Sequence, residues 1–154
     1  MKARIYLLMM ALCATTIFVG CEKSSDAPSV DNAVKVVGQW HCAPESYDVD
    51  VYVSFDVAGT FDEYQRLGEG RYRHYAGTWS VEKDILSGVY ADGTEWGSTY
   101  TLLFDGDTMT LTSMNDSAEA MVYTKTTIPQ AVIDEAIEPL GPETLTRGIE
   151  MRWF

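Results

Sequence analysis

The chain has 154 residues, with 11 Lys and Arg against 23 Asp and Glu, which gives a net charge of −12 at neutral pH. Its length suits one ordinary domain. Because so acidic a surface repels nucleic-acid phosphates and anionic lipid head groups, we expect no nucleic-acid partner.

The first 20 residues have the pattern of an export signal. Lys2 and Arg4 form a short basic start, and an uncharged, largely apolar run follows from 5 to 19. This run is short for a membrane-spanning helix, which needs roughly 20 residues. A basic start, an apolar run and small residues before a cut site are typical of a secretory signal, so we predict a signal peptide at 1–20.

The signal ends in Phe18-Val19-Gly20-Cys21. This motif resembles the lipobox of bacterial lipoproteins, in which an apolar, a variable and a small residue precede Cys; Leu is more usual where Phe18 stands. The resemblance implies diacylglycerol on the Cys21 thiol and a further acyl chain on its new amino group. Two or more acyl chains anchor a protein stably, since each buried CH₂ contributes roughly 0.8 kcal/mol. The alternative is a plain secretory signal with an incidental cysteine.

A polar segment, 21–35, follows the signal. Residues 22–35 are rich in Ser, Asp and Ala, and because such a composition cannot bury a core we expect a flexible tether. Glu22 follows the expected lipidation site. Lipoproteins retained at the inner membrane more often have Asp there, so the resemblance implies the outer membrane of the cell envelope, at its periplasmic face or at the cell surface.

Cysteine counting predicts no internal disulfide in the exported chain. Cys13 leaves with the signal and Cys21 is expected to be acylated, so Cys42 alone remains. We interpret Cys42 as a small buried apolar residue, and a reactive thiol is the alternative.

Residues 36–126 alternate between apolar and polar side chains in short runs separated by turns. The clearest run is 49–55, where every second residue is Val or Phe, as expected for a half-buried strand. Eight such strands predict an all-β, antiparallel up-and-down barrel, because closing the sheet removes its exposed edges. An interior of this size is just filled by side chains or holds one small ligand. The predicted strands are 36–43, 49–55, 60–65, 72–81, 85–91, 95–104, 108–114 and 118–126.

Several short motifs within this region suggest a family. Gly38-Gln39-Trp40 opens it, and others follow at Phe55–Phe61, Gly77-Thr78-Trp79, Leu86, Tyr100–Leu102, Met109–Leu111 and Tyr123–Lys125. Together they resemble the bacterial lipocalin-like lipoprotein families, in which a lipidated Cys and a short tether precede one calycin-type barrel. The resemblance covers residues 36–126.

The resemblance also implies how one end of the barrel is closed. In lipocalins the Trp of the Gly-x-Trp motif, here Trp40 after Gly38, plugs the closed end, and a basic side chain packs across it. Lys125 corresponds to that side chain, although Arg is more usual; Arg147 and Arg152 are alternatives. Such packing contributes about 0.5–2 kcal/mol and is structural, not catalytic.

The segment 127–154 lies outside the barrel pattern. Residues 130–138 predict a short amphipathic helix, with Val132, Ile133, Ala136 and Ile137 on one side. The chain ends in Met151-Arg152-Trp153-Phe154. Because exposed Trp and Phe are unusual, we expect this tail to dock on the barrel, with an added strand as one arrangement.

Catalytic and metal-binding patterns are weak. His41 and His74 are the only histidines of the sequence, and His41 and Cys42 would point to opposite faces of a strand. The acidic pairs Asp48–Asp50 and Asp105–Asp107 lie at strand ends and turns, where Asp is common. A loose calcium site or a glycosidase pair is the alternative for each. We therefore expect no metal, no cofactor and no enzymatic activity.

Aromatic residues dominate the predicted interior. They suit a planar or amphiphilic ligand, or they simply fill a narrow barrel or lie outside it beneath the helix and tail. One function is thus the binding of a small hydrophobic or amphiphilic ligand at the membrane. The alternative is a filled barrel that contacts an envelope partner or inhibits an enzyme. The ligand-binding candidates are Phe55, Tyr75, Trp79, Tyr90, Tyr100, Leu111 and Tyr123.

Overall fold

The computed structural model of the protein describes residues 29–139 and 152–154. The predicted signal peptide at 1–20, the expected lipidation site Cys21 and the alternative stacking residue Arg147 lie outside the described residues. The described part is mostly antiparallel β-sheet.

Eight strands form one closed barrel in which each strand is antiparallel to the next and the last pairs with the first. The predicted all-β, eight-stranded up-and-down barrel is confirmed, and a closed barrel of this kind fits a lipocalin-like fold. The strands are β1 (Gly38–Cys42), β2 (Val49–Phe55), β3 (Thr60–Leu67), β4 (Arg73–Glu82), β5 (Ile85–Tyr90), β6 (Tyr100–Asp105), β7 (Thr108–Ser113) and β8 (Ala120–Lys125). Helix α1 (Ser29–Val36) precedes them, and helix α2 (Gln130–Glu135) follows.

The two ends of the barrel differ in the length of their connections. At one end, called the closed end, the strands are joined by tight turns at 56–59, 83–84 and 106–107. At the other, called the open end, longer connections run through 43–48, 68–72, 91–99 and 114–119. Longer loops can surround an entrance, which tight turns cannot.

Alternation of buried and exposed side chains places the core inside the barrel. In β2 every second residue from Val49 to Phe55 is buried, as its sequence predicts. In β7 Met109 and Leu111 are fully buried while their neighbours are partly exposed. Because successive side chains of a strand point to opposite faces, one face of each strand lines the interior.

The barrel closes through two narrow seams. Most neighbouring strands share five to seven residue pairs in register. Strands β5 and β6 share only two, Ile85–Thr101 and Leu86–Tyr100, and strands β1 and β8 also share two. Strands β1–β5 and strands β6–β8 are therefore two units that meet at these seams.

Two glycines let aromatic rings lie against the inner wall. A Cβ at Gly77 would lie 2.1 Å from the carbonyl oxygen of Val89 and 2.7 Å from the ring of Phe61. A Cβ at Gly88 would lie 2.3 Å from the ring of Trp96. Only a residue without a side chain fits at either position.

Trp40 fills the closed end and is 2% exposed. Its indole Nε1 donates a hydrogen bond to the carbonyl oxygen of Val36 at 2.8 Å, and Lys125 Nζ lies 5.6 Å from its ring centre. Gly38, two residues before Trp40, has a φ of +142°, a backbone conformation that residues with a side chain rarely adopt. The structure thus shows the arrangement that the resemblance implied, with Lys125 in place of an Arg.

Helix α1 covers part of the segment that was predicted to be a flexible tether, so that prediction was wrong for residues 29–35. Val36, at the end of the helix, is fully buried in the barrel core. The side chain of Asn32 donates to Asp84 in the closed-end turn at 2.7 Å. Val36 was predicted to open the first strand, but it ends the helix, and β1 begins at Gly38 and not at residue 36.

Strand β6 is shorter than the predicted strand 95–104. The backbone N–H of Trp96 donates to Gly88 at 3.0 Å, but the carbonyl oxygen of Gly97 accepts from the side chain of Asn115 at 2.8 Å. At Gly97 a hydrogen bond to a loop side chain therefore replaces the backbone ladder between neighbouring strands. Residues 95–99 belong to an open-end connection.

Helix α2 ends three residues before the predicted end at Glu138. Ile137 instead pairs in parallel with Arg73. Its backbone groups bond to Tyr72 and His74 and not to the preceding turn of the helix. On the side predicted to be apolar, Val132 is buried while Ile133 is exposed. Neither helix of the described ranges is long and apolar enough to cross a membrane.

Gly77→Ala should lower the free energy of unfolding by about 1–3 kcal/mol, because the new methyl group overlaps backbone that cannot move away cheaply. Gly97→Ala is the matched control, since a Cβ there would meet nothing closer than 3.9 Å. Urea unfolding followed by circular dichroism measures both. Equal stability of the two variants would contradict the close packing at Gly77.

Candidate functional site

Residues Arg152, Trp153 and Phe154, called here the plug segment, fill the barrel from its open end. Phe154 is 4% exposed and belongs to the barrel core. Its ring stacks on Trp96, with ring centroids 4.3 Å apart, and is parallel to the ring of Tyr123 at 6.3 Å. Three further rings meet it tilted or edge-on: Phe55, Phe61 and Tyr100.

Residues 152–154 of the predicted tail therefore dock on the barrel interior. Residues 152–154 form no strand, so the suggested added strand is wrong for them. Phe154 is buried and Trp153 packs half-buried against the core, so neither of these large aromatic residues is left in water.

The seven ligand-binding candidates meet in this interior. Trp79 is half-buried, packs against the core and meets Phe55 edge-on at 5.4 Å. In this structure Phe154 occupies the space that the candidates surround. The other six are buried in one cluster with it: Phe55, Tyr75, Tyr90, Tyr100, Leu111 and Tyr123.

A buried carboxyl group, Glu63, lies among these rings and is 0% exposed. It faces inward because it is in phase with Phe61 and Gln65 along β3. The hydroxyl of Tyr90 lies 3.5 Å from one carboxyl oxygen, and the backbone N–H of Trp153 bonds to the group. The other oxygen, Oε1, has no hydrogen-bond partner within the described part of the chain.

Burial raises the pKa of Glu63 to about 8, although Tyr90, Arg152 and the N–H of Trp153 each act to lower it. Removing a carboxylate from water disfavours its charged form more than these partners favour it. At neutral pH the group is therefore mainly the neutral acid, which can donate as well as accept a hydrogen bond.

The polar atoms of the plug segment are bound by side chains of the wall. The hydroxyl of Tyr90 donates to the carbonyl oxygen of Phe154 at 3.1 Å. The indole Nε1 of Trp153 donates to the hydroxyl of Tyr123 at 2.6 Å. Burial raises the pKa of both phenols well above the ordinary value, so each stays protonated.

Arg152 lies at the rim of the open end, where its guanidinium forms two hydrogen bonds with the carboxylate of Asp92. This charged pair holds the pKa of Asp92 well below its usual range. The same guanidinium lies 4.6 Å from the ring centre of Tyr90. The rim thus offers a carboxylate and an aromatic face to a cation.

Sequence reasoning missed four of the residues that build the site: Phe61, Glu63, Trp96 and Phe154. The period-two pattern of β3 contains the signal for Phe61 and Glu63, since both lie on the inner face. Trp96 was placed in phase with Tyr100, although it precedes the strand. No local pattern marks Phe154 as an interior residue, because its partners are distant in sequence.

A separate ionic cluster lies on the outer face of the barrel. Asp50 accepts hydrogen bonds from His41 at 2.7 Å and Arg66 at 2.8 Å, and also from Tyr72. Burial alone would raise the pKa of Asp50, but the bonds from Tyr72 and His41 hold it below the ordinary value. These partners neutralise one another and brace the sheet, which gives the cluster a structural role.

Cys42 lies on the inner face, opposite His41, and is 2% exposed. Burial raises the pKa of its thiol to about 12, so the thiol stays un-ionised. This agrees with the interpretation of Cys42 as a small apolar residue. In the described part of the chain no three His, Cys, Asp or Glu side chains lie together as a metal site would require.

No model of a known protein family matches the chain, and no curated protein sequence matches it. A function for the interior must therefore be inferred from its own geometry.

Glu63→Gln should flatten the dependence of stability on pH between about 5 and 8. The carboxyl has a pKa of about 8 in the folded protein against 4.5 ordinarily, so the folded state binds the proton more tightly. The resulting stabilisation is complete below the lower value and is lost as the pH rises through the higher one, up to about 5 kcal/mol. Urea unfolding at several pH values measures the slope, and the exposed Glu82→Gln is the control. A slope unchanged by Glu63→Gln would contradict the buried neutral acid.

Phe154→Ala should lower the free energy of unfolding by about 3–5 kcal/mol, because it empties a space lined by five rings. Leu103→Ala is the control, since Leu103 is 67% exposed on the outer face of β6. Thermal and urea unfolding measure both. If Phe154→Ala proved as mild as the control, residues 152–154 would not be part of the packed core.

Proposed function

We propose that the protein is a lipid-anchored protein of the bacterial cell envelope whose lipocalin-like barrel binds a small hydrophobic or amphiphilic ligand in its interior. The observation that carries this proposal is the seat of Phe154. A single ring lies among five others at the inner end of an entrance bordered by long loops. A site that accommodates this ring can accommodate the ring of a ligand that takes its place.

The polar groups of the interior support an amphiphilic ligand over a pure hydrocarbon. Glu63 Oε1 and Trp96 Nε1 are buried without a hydrogen-bond partner in the residues described. An unmade hydrogen bond on a buried polar group costs about 1–3 kcal/mol. A ligand with one or two polar atoms among its apolar ones recovers part of that cost.

The membrane anchor follows from the lipobox-like motif that ends in Cys21, and helix α1 is compatible with it. Asn32 and Val36 attach α1 to the closed end, near Asp84 and Trp40. Cys21 precedes the start of α1 by eight residues, a chain length of at most about 28 Å. An anchor there holds the closed end towards the membrane and leaves the open end to the surrounding fluid.

A filled barrel without a ligand is the second candidate, and the burial of Phe154 favours it. In that case the plug segment is simply the last part of the core. The protein would then act through its outer surface, by contacting an envelope partner or by inhibiting an enzyme. The two candidates differ in whether the interior exchanges its occupant.

Native mass spectrometry of the protein purified from its membranes tests the binding function. We expect a small molecule to be released together with the protein, in a fraction of molecules set by competition with Phe154. Protein that releases none, and that binds no apolar dye after Phe154 is changed to Ala, would establish the filled barrel.

Cys21→Ala should move the protein from the membrane fraction to the soluble fraction. The unaltered protein should carry the mass of its acyl chains on the fragment that contains Cys21. Cys42→Ala is the matched control and should stay with the membrane, because Cys42 lies inside the barrel. A Cys21→Ala variant that still sediments with membranes would contradict the anchor.

A further inference from the structure

The interior contacts of the plug segment involve its peptide backbone as well as its rings. The carbonyl oxygen of Phe154 accepts from Tyr90 at 3.1 Å, and the backbone N–H of Trp153 bonds to Glu63. A donor and an acceptor of the wall thus pair with two groups that every peptide carries. A hydrocarbon ligand would leave these two wall groups only their long 3.5 Å contact with each other.

The side chains of the plug segment are recognised separately. Trp153 donates its indole N–H to Tyr123 at 2.6 Å, and its ring meets Tyr47 edge-on. The ring of Phe154 stacks on Trp96. The wall therefore has one place for an indole near the entrance and one for a phenyl ring deeper inside.

At the rim, a carboxylate and two aromatic rings surround the basic residue that precedes the two rings of the plug segment. Arg152 forms two hydrogen bonds with Asp92 and lies over the rings of Tyr90 and Tyr75. The whole chain is strongly acidic, with a net charge of −12. An acidic group at the same position of a ligand would meet Asp92 with repulsion.

We propose that the ligand of the interior is a peptide segment in which a basic residue precedes two aromatic residues, and that the plug segment is its internal competitor. This inference rests on the binding function proposed above and names the class of ligand. Because the plug segment is part of the same chain, it competes at an effective concentration in the millimolar range. A peptide below that concentration therefore binds measurably only when the plug segment is weakened.

The test uses the full chain, as purified, with Trp153→Ala and Phe154→Ala together. Three probes are titrated by calorimetry: acetyl-Arg-Trp-Phe-amide, acetyl-Glu-Trp-Phe-amide and the neutral aromatic dye N-phenyl-1-naphthylamine. We expect the Arg peptide to bind at least about tenfold more tightly than the Glu peptide, since only the former pairs with the rim. Adding Asp92→Asn should remove most of that preference. Adding Asp105→Asn, at the closed-end terminus of β6, should leave it unchanged.

The outcomes separate the two proposals. If the dye binds and neither peptide does, the peptide class is wrong while the interior remains a ligand site. If both peptides bind equally, the role of Asp92 at the rim is wrong. If no probe binds to a folded variant, the binding function fails as well.

A second measurement avoids the double variant, which could lose stability. In the unaltered chain, millimolar Arg peptide should shift the side-chain NMR signals of Trp153 and Tyr90 as the plug segment is displaced. The Glu peptide at the same concentration should shift them much less. Signals that stay fixed with both peptides would overturn the competition between peptide and plug.

Discussion

The packing of the Phe154 ring between the two units of the barrel is the contact on which the rest of the interior depends. Phe55 and Phe61 belong to strands β2 and β3, while Tyr100 and Tyr123 belong to β6 and β8. One side chain therefore touches both sides of a sheet that closes through two narrow seams. The stacking and burial of these rings stabilise the contact between the two units, where the short ladders of the seams contribute few hydrogen bonds.

Glu63 shows that this interior is more than a hydrophobic core. A barrel that needed only stability would have an apolar residue at this position, because a buried carboxyl group costs free energy even when neutral. Burial raises its pKa to about 8, because the surroundings oppose its charge. The backbone and indole groups of the plug segment bind to Glu63, Tyr90 and Tyr123. These hydrogen bonds offset part of the free-energy cost of burying polar groups and fix how the plug segment lies in the barrel.

Much of the barrel could be predicted from the sequence, because each strand has its own local alternation of apolar and polar residues. Alternation in 49–55 marks a wall strand without knowledge of its neighbours, and the same holds for most hairpins. The contact of Trp40 with Lys125 was also accessible, through resemblance. Helix α1 was not, since the polar composition of 21–35 favours a tether and the helix docks through Val36, the residue that follows this segment.

The candidate site was predictable only in part, for a physical reason. The residues of its wall lie in regular strands, so periodicity points them inward. Its occupant, Phe154, lies far along the chain from every ring it touches, and no short-range pattern records such a contact. Glu63 carried a signal in its phase with Phe61, but the usual exposure of Glu argues against an inward position.

The narrow seam between β5 and β6 has a mechanical consequence. Two register pairs and the backbone bonds from Trp96 to Gly88 and from Leu102 to Asp84 cross this seam, so moving the two units apart there breaks fewer bonds than at the wider ladders. The girth of the barrel is therefore softer at this seam than across the wider ladders, and local opening concentrates there. A barrel that yields at one seam can widen there without unfolding its other ladders, which a barrel with uniform ladders could not do.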